Sequence, residues 1–306
     1  MPNTFTNVNV TKVESEIIEA LKLGLTPLDV FSLEVGSSPA EKNEVVTVPI
    51  ITARTAASNA TNYENGNTTV VGKDVNLDTN ISCSWHISAI QASKQDTDYF
   101  AKAAKEAVYS VANAAQLKAL DLVVRDSYGE GVEAVLATGA DCDSDALFDI
   151  RNTVINTLKW RPSQMPKLVL DGAYYAGLGK DPATKDLSAS GADTAQSGEV
   201  GRHAGFGIYE NGVIASSTPY GANEYLRGFA CLPQAMALAI RPPAIVGSAA
   251  YDINEIVTDP DGGLSLNYRQ WVNTSSNTLW GSVEILMGGI AVDGNALYRI
   301  VSQTSS

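Results

Sequence analysis

Residues able to do chemistry are few and scattered along this 306-residue chain. Its two histidines are His86, in a stretch that alternates apolar and polar residues, and His203, in a glycine-rich one. An imidazole works as a general base only beside a nucleophile it can reach. Neither a Gly-x-Ser-x-Gly elbow nor a His-Glu-x-x-His pair is present to supply one. Asp141-Cys142-Asp143-Ser144-Asp145 has the spaced carboxylates that open a calcium loop. Ala146, however, stands where such a loop needs Gly, and Asn152 where it needs the closing Glu, so helix capping is the expected role. Gly172 to Lys180 (GAYYAGLGK) is glycine-rich but lacks Gly-Lys-Ser/Thr at the spacing that cradles a phosphate, which leaves turns and close packing. Cys83, Cys142 and Cys231 are odd in number and far apart, which argues against a disulfide framework or a zinc site and fits a reducing compartment. No catalytic residue, cofactor or metal is expected.

The elements that would position any site are more legible. Asp96 to Asp126 contains no Gly or Pro and is rich in helix formers. Phe100, Ala104, Ala107, Val108, Val111, Ala115 and Leu122 recur at helical spacing. Asp96, Thr97 and Asp98 suit its first turn, and Gly129 and Gly131 its end. The expectation is a rod of about thirty residues, roughly 45 Å long, with a small-residue stripe that lets a flat partner, a β-sheet, lie close.

Around that helix the chain falls into distinct stretches. Residues 1–43 read as an extended arm with one short helix, Val13 to Leu23, which must find its partner on the body or on a neighbouring chain. In residues 44–92, Glu44 to Ile51 and Thr79 to Ile90 are both β-rich, and Asn65-Gly66 is a tight-turn signal between them. The simplest pairing is a long hairpin with a polar tip, marginal in isolation and therefore resting on another subunit. Residues 130–243 alternate helix and strand, giving a mixed α/β domain. Its helices are expected at Ala146–Trp160, Gly172–Leu178 and Pro233–Ala239. Its strands are expected at Lys167–Asp171, on both sides of Asn211-Gly212, and at Tyr225–Ala230. Residues 249–303 read as an antiparallel meander of Tyr251–Thr258, Leu264–Val272 and Thr278–Val292, turning at Asp259 to Gly263.

Composition closes off several functions. The chain is 44% hydrophobic and 18% charged, enough for one large or two modest domains. With 34 acids against 21 bases its net charge is −13, and phosphate binding needs the opposite, so specific nucleic-acid binding is not expected. No run of eighteen apolar residues exists, and the N-terminus lacks the basic start and apolar core of a signal peptide, so neither a membrane span nor export is expected.

In this order of arm, hairpin, long helix, α/β domain and meander, the chain resembles the major capsid proteins of tailed bacteriophages, which have the Hong Kong 97-type fold. Leu28 to Val35, followed by Val46 to Ala53, looks like the lead-in to the extended loop of such a protein. Leu168 to Tyr175 is similar to the strand and helix of its axial domain. Tyr225 to Ala230, running into Pro233 to Arg241, is similar to its late strand–helix unit.

The resemblance implies an α+β shell subunit with an arm at 1–43, an extended loop at 44–92, and a spine helix at 93–129 in the peripheral domain. The axial domain would be 130–243, and 244–306 would complete the peripheral domain. It implies a homo-oligomer of pentamers and hexamers in the virion, assembled in the bacterial cytoplasm with scaffolding and portal proteins. The shell would enclose double-stranded DNA without reading its sequence. Candidate interface residues, chosen for charge at plausible places, are Arg54, Lys73 and Asp74 on the loop and Arg269 and Glu284 on the meander. Some members cross-link a loop lysine to a neighbour's asparagine with help from a glutamate. Lys73, Asn273, Asn277 and Glu284 are the residue types available here, and no motif marks them as reactive. Competing readings are an encapsulin-type compartment shell, a secreted β-rich binding module suggested by sequons such as Asn9-Val10-Thr11, and a small-molecule enzyme built on 130–243.

Overall fold

The strand Thr278–Ala291, fourteen residues long, organises the molecule. The structure, a computed structural model, describes residues 10–51, 70–88, 98–128, 133–185, 201–216, 225–245, 251–260 and 262–303. In chain order the helices are α1 (Val10–Leu25), α2 (Asp98–Leu120), α3 (Ser144–Asn156), α4 (Gly172–Lys180), α5 (Pro182–Lys185) and α6 (Gly212–Ser216). The strands are β1 (Ser32–Val35), β2 (Val45–Ile51), β3 (Val70–Asn76), β4 (Thr79–Ser88), β5 (Glu133–Val135), β6 (Lys167–Leu170) and β7 (Arg202–His203). They continue with β8 (Phe206–Glu210), β9 (Leu226–Cys231), β10 (Met236–Arg241), β11 (Ile253–Thr258), β12 (Ser265–Asn273), β13 (Thr278–Ala291) and β14 (Leu297–Val301).

Two six-stranded sheets carry the fold. In the first, β13 pairs β4 along one edge and, along the other, β12 and then β10. Strand β11 continues beyond β12, and β1 beyond β10. The expected meander is present as β11–β12–β13, with its first turn closed by Asp259 N–H on the Leu264 carbonyl at 2.7 Å. Because strand side chains alternate faces, Trp85, Gly281, Val283 and Tyr268 share the face that packs on α2. The second sheet runs β5-β14-β9-β6-β8-β7. It has α3 and α4 beside it, each capped by an aspartate: Asp143 Oδ1 accepts from Ala146 N–H and Asp171 Oδ1 from Tyr174 N–H, both at 2.8 Å.

Several expectations are corrected. The spine helix ends at Leu120, some nine residues before Gly129, so at 23 residues it is about 35 Å long. Val123 and Val124 are poor helix formers. Leaving the helix lets Val123 and Tyr128 enter the core, where the Tyr128 hydroxyl donates to the Ala235 carbonyl at 3.0 Å. The small-residue stripe receives a helix as well as a sheet. α1 crosses it, with Gly24 against Ala112 and the Gln116 side-chain amide donating to the Gly24 carbonyl at 2.6 Å. Of the two partners left open for the arm, residues 10–35 take the body: Val13, Ile17, Ala20 and Leu21 are fully buried on it, and β1 joins the first sheet.

The hairpin is also reassigned. β2 pairs with β3, Val45 opposite Asn76 through Ile51 opposite Val70, and not with the stretch from Thr79. That stretch is β4, drawn into the body because Ile81, Trp85 and Ile87 bury on the α2 side. Val48, Ile50, Val75 and Leu77 seat the hairpin base on Ala237, Ala239 and Leu286, on the opposite face of the sheet. The hairpin tip, with Asn65-Gly66, lies outside the described residues.

Two more segments change state. Pro233–Ala239 is a 3-10 turn followed by strand β10, not a helix, and the segment after Asn211 is helix α6, not a strand. β10 is buried on both faces, where neighbours rather than propensity decide. The chain crosses from the second sheet to the first between β9 and β10, and back between β13 and β14. The stretches 130–243 and 244–306 thus exchange one strand each, and one apolar cluster runs through both layers.

Candidate functional site

The face of the first sheet turned away from α2 carries the most unusual chemistry among the described residues. In-register pairing aligns three rows across it. Trp271, Trp280 and His86 form one row, Arg269, Ser282 and Ser84 the next, and Asn267, Glu284 and Ser82 the third. The first row is a stack, with ring centroids 6.0 Å apart for Trp271–Trp280 and 4.6 Å for His86–Trp280, and Tyr251 standing edge-on to Trp271 at 5.7 Å. Beside it lies a pit of about 250 Å³ lined by Ser82, Ser84, Ser282, Tyr251, Trp271, Arg269 and Glu284.

Electrostatics in the pit are balanced but incompletely satisfied. Arg269 Nη2 reaches Glu284 Oε2 at 2.6 Å, though off the line that a hydrogen bond needs, and its guanidinium sits over the Tyr251 ring at 5.7 Å. The Asn80 amide donates to the other Glu284 oxygen. The side-chain amides of Asn254 and fully buried Asn267, together with Arg269 Nε, find no hydrogen-bond partner among the described residues. Buried polar groups are normally paired, so this face offers both donors and acceptors to something laid on it, with no net charge to favour an ion.

The structure thus joins two of the sequence candidates, Arg269 and Glu284, in one pair. Lys73 and Asp74 lie elsewhere, on β3: Lys73 is half-buried opposite Val48, and Asp74 accepts from the Thr47 hydroxyl at 2.9 Å. Arg54 falls outside the described residues. Of the possible cross-linking set, Glu284 is committed to Arg269 and Asn80, and Asn273 Oδ1 accepts from Ser275 N–H in a turn. Sequence reasoning missed Trp271 and Trp280 and weighed His86 only as a base. Their signal was parity, since each lies two residues along its strand from a polar residue that lines the pit.

Elsewhere, Ser144 Oγ and His203 Nε2 are 2.7 Å apart, the one Ser–His contact among the described residues. Ser144 is buried at the first turn of α3, where the Ser144 and Ala146 N–H groups already donate to Asp181 and Asp143. The donors that would stabilise an oxyanion are therefore occupied, and the contact ties the β7 segment to α3. Burial pushes the Cys142 and Cys231 thiols up to about 12, so neither is a thiolate at neutral pH. Gly177 serves packing, as expected: a Cβ there would stand 1.7 Å from the Gly139 carbonyl oxygen.

No protein-family model matches the chain, and no curated protein matches it. Solved structures do resemble it. The capsid of cyanophage P-SCSP1u matches 89% of this chain over 86% of its own, at 12% identity and a TM-score of 0.57. The mature capsid of bacteriophage PhiM1 matches 88% over 85%, at 12% identity and 0.54. A structure of Mycobacterium phage Che8 matches 85% over 85%, at 15% identity and 0.51. The chain has the α+β Hong Kong 97-type fold that its order of elements implied.

Proposed function

We propose that this protein is the major capsid protein of a tailed bacteriophage, assembling through pentamers and hexamers into an icosahedral head shell around double-stranded DNA. Scaffolding and portal proteins are its expected partners and the virion its destination. The observation that carries the reading is a fold likeness to two phage capsids over 88–89% of the chain, the whole architecture rather than one domain. In this reading α2 and the first sheet form the peripheral domain, and the second sheet with α3 and α4 forms the axial domain. The hairpin is the extended loop. The aromatic row and the Arg269–Glu284 pit face a neighbouring subunit, whose polar groups supply the missing hydrogen bonds. Arg54, Lys73 and Asp74 act from the loop. A net charge of −13 suits a wall that must not grip DNA.

Replacing residues 53–69 by a short Gly-Ser linker tests the role of the loop. The variant is expected to keep its circular dichroism and thermal midpoint, because β2 and β3 stay seated on the body. In sedimentation velocity at raised concentration, with scaffolding protein present, it is expected to stop short of the large species that the parent forms. A linker variant that assembles as well as the parent would remove the loop from the interface.

A further inference from the structure

Among the described residues, every edge strand but one carries a device against strand addition. An edge strand presents unpaired N–H and C=O groups, and natural proteins guard them with charge, proline or shortness. β1 is four residues long and holds Glu34, β5 is three long and holds Glu133, and β7 is two long and holds Arg202. β11 holds Glu255. In the hairpin, β2 holds Pro49, and β3 holds Lys73 and Asp74.

β4 has none of these. It is ten residues long, Thr79 to Ser88, without Pro, Asp, Glu, Lys or Arg. Its one strand partner among the described residues is β13, in an unbroken register from Thr79 opposite Met287 to Ser88 opposite Thr278, so no bulge twists the edge away. No other backbone hydrogen bond among the described residues reaches 79–87. Its faces alternate: Ile81, Trp85 and Ile87 are buried on the α2 side, while Asn80, Ser82, Ser84 and His86 are exposed on the other.

That pattern selects its own partner. Antiparallel pairing sets residues of the same face opposite one another. Two copies of β4 related by a two-fold axis at Cys83 set Ile81 opposite Trp85 and Thr79 opposite Ile87 on the apolar side. On the polar side they set Ser82 opposite Ser84 and Asn80 opposite His86. The other edges of a second copy are short, charged or proline-bearing, so β4 is the one long unguarded strand that each copy offers. A chain of net charge −13 also meets its own copy with least repulsion where neither side is charged.

We propose that β4 is an isologous docking edge, where the β4 strands of two copies pair antiparallel about a two-fold axis and join their first sheets into one. Each copy gains backbone hydrogen bonds along residues 79–87, and the second copy's Asn80 extends the Trp271–Trp280–His86 row. A two-fold pair is not a ring of five or six, so the contact goes beyond the capsid reading and stands or falls separately from it.

Hydrogen exchange of the purified full-length chain, read by mass spectrometry at low micromolar and at near-millimolar concentration, tests this alongside sedimentation. In a strand paired on one side, alternate amides point outward, so peptides covering 79–87 are expected to exchange about half their amides quickly when dilute. That fast fraction is expected to disappear on concentration, and the first associated species to be a dimer. Ser82→Lys supplies the guard that β4 lacks, opposite Glu284 of β13. It is expected to keep the thermal midpoint of the dilute parent and to keep the fast fraction at both concentrations. An outward fraction already slow in the dilute parent would mean that the chain covers its own edge, and would overturn the proposal. So would a fast fraction that survives concentration in the parent or is lost in Ser82→Lys, or a first step to rings of five or six with no dimer.

Discussion

Glu133→Ala is expected to lower the unfolding free energy of the isolated subunit by about 3–5 kcal/mol. Arg299 is 1% exposed, in the middle of β14, and its Nη1 lies 3.0 Å from Glu133 Oε2 on the neighbouring strand β5. Arginine cannot shed its charge at any workable pH. Removing the carboxylate therefore takes away the counter-charge that lies 3.0 Å from a buried guanidinium in the core of the second sheet, and β5 loses its ionic rivet at the sheet edge. The reverse experiment separates desolvation from packing. Replacing both partners by apolar residues of similar volume, Glu133→Leu with Arg299→Met, is expected to recover most of the loss, because neither charge then has to leave water. Urea denaturation below the assembly concentration reads both variants. A loss under about 1 kcal/mol for the single change would mean that the other contacts of Arg299 suffice without Glu133.

Trp85→Ala is expected to cost about 3–5 kcal/mol. Trp85 joins three elements, projecting from β4, meeting Phe100 of α2 at 5.5 Å between centroids and stacking on Tyr268 of β12 at 6.2 Å. Its opposite number on β13 is Gly281, where a Cβ would stand 2.4 Å from Trp85 Cζ2 and 3.0 Å from Phe100 Cζ. The indole fits only because position 281 has no side chain. Gly281→Ala alone is therefore expected to cost about 1–3 kcal/mol by overpacking. Combined with Trp85→Ala, the added methyl enters the cavity and the double variant loses less than the sum of the singles. Strict additivity in denaturation midpoints would show that the two positions are not in contact.

What the sequence made legible was local. The cap at Asp143, the meander with its Asp259 turn and the alternating face of β4 all depend on residues a few positions apart. What it hid was partnership. β4 reads as a strand while β3 reads as part of the polar outer hairpin, and nothing local says that β3, only Leu77-Asp78 away from β4, is the one that pairs with β2. The answer came from burial, since Ile81, Trp85 and Ile87 have a core to fill beside α2 while the smaller residues of β3 do not. Met236 to Arg241 is built partly of good helix formers, yet it lies as a strand between β1 and β13. The early stop of α2 has the same origin, because Tyr128 reaches the Ala235 carbonyl from a segment 107 residues away in sequence. At the candidate site charge singled out Arg269 and Glu284, which the structure pairs with each other, but their aromatic neighbours become one surface only through the β12–β13–β4 register.

The capsid assignment is tested most directly by negative-stain electron microscopy of the purified protein at raised concentration, alone and with its scaffolding protein. Closed shells of uniform diameter, or rings of five and six subunits, are the predicted result. A chain that stays monomeric with scaffolding protein and host extract present, and whose residues 44–92 resist protease in that monomer, would contradict it.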